Sequence, residues 1–418
     1  MKVAVIGGGI SGLASAWLLR DSHEVTLYEA ADYLGGHTNT VDVKLEGVSH
    51  PVDTGFLVHN ELTYPNLIQL FKQLEVETYA SEMSFSVQLP QQDIEWAGTN
   101  LSTVFGQKRN LLRPRFLGML REIMHFNGHA KELLVYSELN QVTLGELLVQ
   151  HNYSKRLRDW YLLPMAAAIW SSSPKDILDF PAATFLHFCI NHHLLQVENR
   201  PQWRTIVGGG RSYVEKMAEV LDVRLSTPID GVHRQNGKVH ISAAGQSESY
   251  DRLIFATHAP DTLEMLNDAD EQELQLLGSV GYQANLAILH TDRRFLPKRE
   301  VLWSAWNYLS SGEVDQSVCV TYLLNRLQNL PFSTPVMVTL NPPAGWQVEG
   351  EIARFDYAHP VFDQPAINAQ QQLKQIQGKN NVWFCGAWCG YGFHEDGLKS
   401  ALHIIDDFGV SAPWEVTL

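Results

Sequence analysis

The chain has little cysteine, no surplus of positive charge and no apolar run long enough to cross a bilayer. Its 418 residues include four cysteines, Cys189, Cys319, Cys385 and Cys389. None forms a CxxC pair, and four thiols make no disulfide framework at this length. Cys385 and Cys389 lie four apart with no second Cys/His pair at finger spacing. That excludes a structural zinc and points to a reducing compartment. His187, His192 and His193 have no carboxylate or cysteine at ligand spacing, so they read as ordinary helix histidines and no metal is expected. Acidic residues outnumber basic ones 46 to 31, for a net charge of −15. Nucleic-acid binding needs a basic face, so this balance argues against it. No stretch reaches the ~20 apolar residues of a spanning helix. The expected protein is soluble and cytoplasmic. Internal repeats and low-complexity tracts are also missing.

What is present begins at the N-terminus. A content of 45% hydrophobic and 18% charged residues is that of a globular protein, and the length suggests two domains. "MKVAVIGGGISGLASAWLL" could pass for a secretory signal, with its lysine, apolar run and "ASA". A different reading explains more of it. "KVAVI" is a short buried strand, Gly7, Gly9 and Gly12 form GxGxxG, and a helix opens at Ile10 and Ser11. "HEVTLYEA" is a second strand ending in Glu29. Gly7 permits the tight turn, Gly9 lets a pyrophosphate approach the backbone, and Gly12 lets helix and strand pack closely. The phosphates meet the positive end of the helix. A carboxylate about twenty residues on can accept both hydroxyls of an adenosine ribose and disfavours a 2′-phosphate. These residues predict a dinucleotide site.

A second glycine doublet, Gly35-Gly36, follows six residues after the acid, then His37 and Thr38. A nicotinamide dinucleotide has no need of it, whereas a longer dinucleotide must thread past the backbone again. GxGxxG, a strand-end Glu, then GG with a basic residue and Thr resembles the flavin-containing amine oxidase superfamily. That group includes monoamine oxidases, phytoene desaturases and protoporphyrinogen oxidases. The resemblance implies FAD, with His37 standing where arginine is usual. It implies that Thr54, Gly55 and Phe56, in "HPVDTGFLVHN", bring a turn against the flavin. It also implies that Ile229, in "VRLSTPIDGVHR", holds the adenine edge through its backbone. The chain is similar in particular to a bacterial branch of predicted flavin- or NAD-binding proteins that share "LHTD", "SAWNY" and "GFHEDGL". Members of that branch tend to accompany enzymes that methylate unsaturated fatty acyl chains.

The C-terminal stretch "GAWCGYGFHEDGLKSA" then acquires a purpose. "NNVWFCGAW" reads as a strand breaking at Gly386, and "EDGLKSALHIIDDF" as a helix. By resemblance Gly386 lies beside the ribityl and pyrophosphate part of FAD. The first turn of the helix, with Asp396, Gly397 and Leu398, would point its free N–H groups at the flavin N1/C2=O edge. Charge gathers there on reduction, so a helix N-terminus favours it.

Residues 61 to 195 read as mostly helical, and residues 278 to 342 as strands. The expected fold is α/β. It consists of a discontinuous Rossmann-like FAD-binding domain (1–60, 200–270 and 345–418) with an inserted α+β substrate domain (61–199 and 271–344). Members of the superfamily that oxidise amines place a lysine near flavin N5 and two aromatic rings along the substrate path. His290 to Arg293 align near the lysine's place without supplying one, and His394 takes an aromatic place. His394 and Glu395 are candidates for a proton donor or acceptor, or else a flavin wall and a helix cap. His290 and Asp292 are further candidates. Asp53 shapes its turn. Cys389 lies near the flavin, but its surroundings do not match the superfamily's covalent-cysteine segment, so non-covalent FAD is expected.

The resulting reading is an FAD-dependent oxidoreductase that moves a hydride from a substrate C–H bond to flavin N5, with O2 or a quinone as acceptor. Many aromatic residues suit a lipid-like substrate, such as a fatty acyl chain to be desaturated. Alternatives are oxidation of a small amine, a redox-neutral isomerase and a non-catalytic FAD-bound partner protein. The basic, apolar "RNLLRPRFLGMLREIM" (109–124) allows peripheral membrane contact or is an ordinary amphipathic helix.

Overall fold

A computed structural model describes residues 1–196, 200–310 and 318–417. The run "KVAVI" forms β1 (Lys2–Ile6), with Val3, Ala4 and Val5 fully buried. It lies at the centre of a five-stranded sheet with β2 (Glu24–Tyr28), β3 (Asp222–Arg224), β4 (Arg252–Phe255) and β5 (Val382–Phe384). The order is β3-β2-β1-β4-β5, and every pairing is parallel. Parallel strands covered on both faces read as apolar runs rather than alternating ones, as these do. The sheet gathers strands from both ends of the chain and its middle, as the discontinuous α/β reading requires.

Four helices share one apolar core on this sheet. They are α1 (Ile10–Leu19), α2 (Pro65–Gln73), α3 (Arg211–Ala218) and α4 (His394–Ile405). Leu13, Leu67, Tyr213 and Leu398 meet within it. All ten residues of α1 are buried, so it has no polar face.

The inserted part is α+β. Seven strands run in the order Glu351–Pro360, Tyr282–His290, Met337–Leu340, Cys319–Leu323, Trp306–Leu309, Phe85–Leu89, Ile94–Ala97. Helices between residues 114 and 191 form a further core beside them. Two of those strands, "FSVQL" and "IEWA", fall inside the stretch expected to be mostly helical. Each is too short for helical periodicity to be told from alternation.

The boundaries differ from those expected. Residues 64–74 pack into the core of the first sheet. Thr78–Ala80 pairs with Trp203–Ile206. Glu351–Pro360, expected in the cofactor part, pairs along its whole length with Tyr282–His290. The boundary expected at 199 falls outside the described residues. The segment "VRLSTPIDGVHR" contributes to two strands, Asp222–Arg224 and Gly231–Gln235, with Pro228 between them. Ser226, two residues past Arg224, has φ 49°, a left-handed backbone that breaks the extended run. Among the described residues no helix is long and apolar enough to cross a membrane.

Candidate cofactor and active site

The two glycine-rich ends of the chain touch. The Ser11 hydroxyl donates to the Gly397 carbonyl at 2.8 Å. A Cβ on Gly397 would lie 2.8 Å from Cγ2 of Ile10, so only glycine lets α4 cross α1 here. Gly12 is tighter still, since a Cβ there would sit 1.8 Å from the Gly7 carbonyl oxygen. The Gly386 N–H donates to the Ser400 hydroxyl at 2.9 Å, which ties the end of β5 to α4. Leu398 is fully buried. The Asp396 carboxylate accepts the Phe393 N–H at 2.9 Å and closes the first turn of α4. The positive ends of two helices thus converge.

On one side of this crossing lies a cradle for phosphate. A Cβ on Gly9 would meet no atom within 4 Å, so the space over the N-terminus of α1 is open. The Gly35 N–H donates to the Gly8 carbonyl at 2.8 Å and brings the second doublet, with Gly36, alongside. Glu29 accepts the N–H groups of Gly8 at 2.7 Å and Ala31 at 2.8 Å. The Thr227 N–H donates to the Glu29 carbonyl at 2.9 Å, which places the segment carrying Ile229 next to the acid. Nε2 of His37 is buried with no hydrogen-bond partner among the described residues. Its ring stacks on Tyr357 at 4.7 Å. Burial, reinforced by the neighbouring His359, holds it well below the usual imidazole range. A neutral imidazole in the Nε2–H tautomer donates a hydrogen bond but brings no charge. The open space at Gly9, the helix N-terminus and this orphaned donor fit a dinucleotide pyrophosphate.

On the other side the segments 37–40 and 54–56 are bound together. The Phe56 N–H donates to the His37 carbonyl at 2.8 Å. A Cβ on Gly55 would lie 2.2 Å from that same oxygen. The Thr54 hydroxyl donates to the Asn39 carbonyl at 2.9 Å and lies 3.1 Å from the Tyr357 hydroxyl. Asp53 accepts the Thr40 hydroxyl and the Gly210 N–H at 2.8 Å. It therefore fixes the glycine turn that opens α3. The His394 ring stacks flat on Phe56 at 3.8 Å and 9°. Its Nε2 is 2.7 Å from the Tyr213 hydroxyl and 3.3 Å from that of Thr38.

The structure separates the four proton-transfer candidates. Glu395 follows His394 but turns away from it. Its carboxylate accepts the Asn66 N–H at 3.0 Å, the Asn66 amide at 2.8 Å and the Leu67 N–H at 2.9 Å. It caps α2, so both oxygens are already engaged. His290 is buried in the second sheet, with Nε2 2.7 Å from the Thr339 hydroxyl and Nδ1 accepting the Asp292 N–H. Asp292 is bound by Arg294 and the Glu349 N–H. All these contacts stay within that sheet and its edge, and none reaches His394. His187 pairs with Glu138, and His192 stacks on Phe188. No group of three or more metal-ligating side chains occurs among the described residues.

Sequence reasoning missed three residues here. Tyr213 was legible only as part of a helix after a glycine turn. Tyr357 comes from a distant strand. Fully buried His59 has both ring nitrogens unpartnered among the described residues, and its ring lies 6.4 Å from that of Phe56. No local pattern marks any of the three.

This burial makes stability depend on pH. Burial holds His59, His192, His290 and His359 near 4, and His394 near 3, against 6.5 for a free imidazole. The unfolded chain therefore binds more protons in that window, and stability falls as pH drops through it. Burial raises Asp53 and Asp396 to about 6 from 3.8, which favours the folded state at low pH and is lost as pH rises through 6. With His37 and His258 also lowered and Glu395 also raised, seven histidines outweigh three carboxylates. The melting temperature is expected to fall between pH 6.5 and 4, and a flat or rising profile in a thermal scan would contradict this.

The sequence pattern of the flavin containing amine oxidoreductase family matches residues 10–403. The carotenoid phi-ring synthase of Streptomyces griseus is 24% identical over 72% of this chain, which spans 59% of that protein's length. The FAD-dependent oxidoreductase dpasF of Apiospora sacchari is 23% identical over 93% of this chain and 88% of its own. Among solved structures, the CLA-producing fatty acid isomerase from P. acnes superposes with a TM-score of 0.68 at 16% identity. It covers 97% of this chain and 98% of its own, a likeness of fold alone.

Proposed function

We propose that this chain, which belongs to the flavin-containing amine oxidoreductase family, dehydrogenates an acyl chain with FAD as its cofactor. When bound, FAD supplies the acceptor for a hydride from a substrate C–H bond. The chain's own residues bind, orient and handle the proton.

One observation carries the substrate reading: an aromatic cluster packs beside the first turn of α4. Phe393 stacks on Phe188 at 4.9 Å, and Trp170 lies 4.7 Å from Phe188 on the same wall. Burial keeps His59, His192 and His394 neutral at pH 7. Glu395 is occupied by α2. Among the described residues no carboxylate contacts the His394 ring, so an ammonium substrate gains little there, whereas a hydrocarbon chain suits the aromatic side chains. The fatty acid isomerase among the structural neighbours keeps a redox-neutral isomerisation in view.

His394 is the proposed proton acceptor. Its ring is fixed by Phe56 and its Nε2 faces the Tyr213 hydroxyl, so the imidazole is held in place; burial holds it near 3, which makes it a weak base that would pass the proton on rather than keep it. The substrate loses one hydride and one proton and gains a C=C bond. The electrons pass on to O2 or a quinone. Cofactor attachment is proposed to be non-covalent, because burial pushes the Cys389 thiol well above its ordinary range and keeps it protonated.

Anaerobic mixing of the holoprotein with an unsaturated fatty acyl substrate tests this reading. Bleaching of the flavin by the acyl chain and not by small amines is expected. Bleaching by amines alone would overturn it, and product formed with neither bleaching nor O2 uptake would favour the isomerase. His394→Ala is expected to slow bleaching by about 100-fold while FAD remains bound. An unchanged rate in stopped-flow would remove His394 from the mechanism.

A further inference from the structure

The loop Gly106, Gln107, Lys108 and Arg109, with Arg299, lines an open recess of about 420 Å³ far from the glycine cradle in sequence. Three of its five lining residues are cations. Arg109 pairs with Asp93 and Arg299 with Glu95, while exposed Lys108 makes no ion pair among the described residues. Apolar side chains flank the recess on both sides. Leu111 and Leu112 follow the loop and are 51% and 87% exposed. Val301, adjoining Gly106, is 54% exposed, and a Cβ on Gly106 would lie 3.2 Å from its Cγ1.

The next element continues the same character. The helix Pro114–Gly128 buries Phe116, Met119 and Phe126. At helical spacing, Leu117, Arg121 and Met124 lie along an exposed face. Residues 101–124 carry Lys108, Arg109, Arg113, Arg115 and Arg121 against Glu122 alone, in a chain whose net charge is −15. Glu122 is itself engaged by Ser154. Arg113 shares Asp93 with Arg109, which leaves Lys108, Arg115 and Arg121 as the cations of this segment without an ion pair among the described residues, and such unpaired cations attract an anion.

We propose that this face docks on an anionic lipid bilayer, with headgroup phosphates at the basic recess and Leu111 and Leu112 entering the boundary between headgroups and acyl chains. A free phosphate would use the cations but has no use for exposed leucines beside them. A bilayer uses both. The inference does not depend on the acyl reading of the active site.

Co-sedimentation of the holoprotein with vesicles tests it. Binding to phosphatidylcholine–phosphatidylglycerol vesicles is expected to exceed binding to pure phosphatidylcholine by about tenfold and to weaken as salt rises. The double variant Leu111→Ser, Leu112→Ser is expected to lose about tenfold in that binding, with flavin absorbance and melting temperature retained because both side chains are exposed. Lys108→Glu is expected to weaken binding in the same way. Equal partition onto both kinds of vesicle, or a leucine variant that binds as the wild type does, would overturn the proposal. Displacement by inorganic phosphate, but not by chloride at matched ionic strength, would also overturn it and make the recess a free-anion site.

Discussion

Replacing Gly9 with valine is expected to give a folded protein that no longer retains FAD. The backbone at Gly9 has φ −74° and ψ −177°, an extended conformation open to any residue. A Cβ there would meet no protein atom within 4 Å. The substitution therefore costs the fold little, and its methyl groups enter only the space over the N-terminus of α1 that the pyrophosphate needs. A loss of at least about 100-fold in FAD affinity, or about 3 kcal/mol, is the expected size. Ultrafiltration of the reconstituted protein measures it, with a thermal melt as the control. Gly12→Ala supplies the contrast, because its Cβ would sit 1.8 Å from the Gly7 carbonyl oxygen and the variant should fail to fold. A Gly9→Val protein that purifies yellow would show that the cofactor does not lie over this turn.

Glu395→Leu is expected to destabilise the protein by about 3 kcal/mol or more, since each buried donor left unmatched costs about 1–3 kcal/mol. Three donors depend on this carboxylate: the Asn66 N–H, the Asn66 amide and the Leu67 N–H. Burial raises the carboxyl above its usual range and these hydrogen bonds pull it back, so part of their gain offsets desolvation. Glu395→Gln separates the two roles proposed for the residue. A helix cap loses stability on this change because one acceptor oxygen becomes an amide NH2, a donor facing other donors, yet the molecules that remain folded turn over normally. A proton-transfer group loses turnover at unchanged stability. Urea denaturation alongside flavin reduction in the same variant decides between them, and unchanged stability with lost turnover would contradict the capping role.

The cofactor half of this fold was legible because its physics is local. Gly7, Gly9 and Gly12 lie within six residues, and their spacing encodes one turn and one close packing. Glu29 and the Gly35-Gly36 doublet follow at short range. The contact between Ser11 and Gly397 spans nearly the whole chain. It could be anticipated only because glycine clusters at both ends called for one shared partner. The active-site face was less legible for the opposite reason. His394, Phe56, Tyr213 and Thr38 come from four separate segments, and nothing near Tyr213 in sequence distinguishes it from a core tyrosine. His290 and Asp292 were placed by alignment near a missing lysine, but they belong to a hydrogen-bonded corner of the second sheet. The carboxylate of Glu395 looked catalytic by its neighbour. Its partner is the N-terminus of α2, a helix over 320 residues earlier in the chain. Strand boundaries failed where pairing partners were distant, as with Glu351–Pro360 against Tyr282–His290.

The most direct test of the account is the visible spectrum of the purified protein before and after denaturation in acid. The account predicts a flavin spectrum that passes entirely into the supernatant as FAD, because the backbone of two glycine clusters would hold it and the half-buried Cys389 thiol, pushed well above its ordinary range, stays protonated. Flavin that remains with the precipitate would contradict non-covalent attachment. A colourless protein that cannot be reconstituted with FAD would contradict the whole assignment.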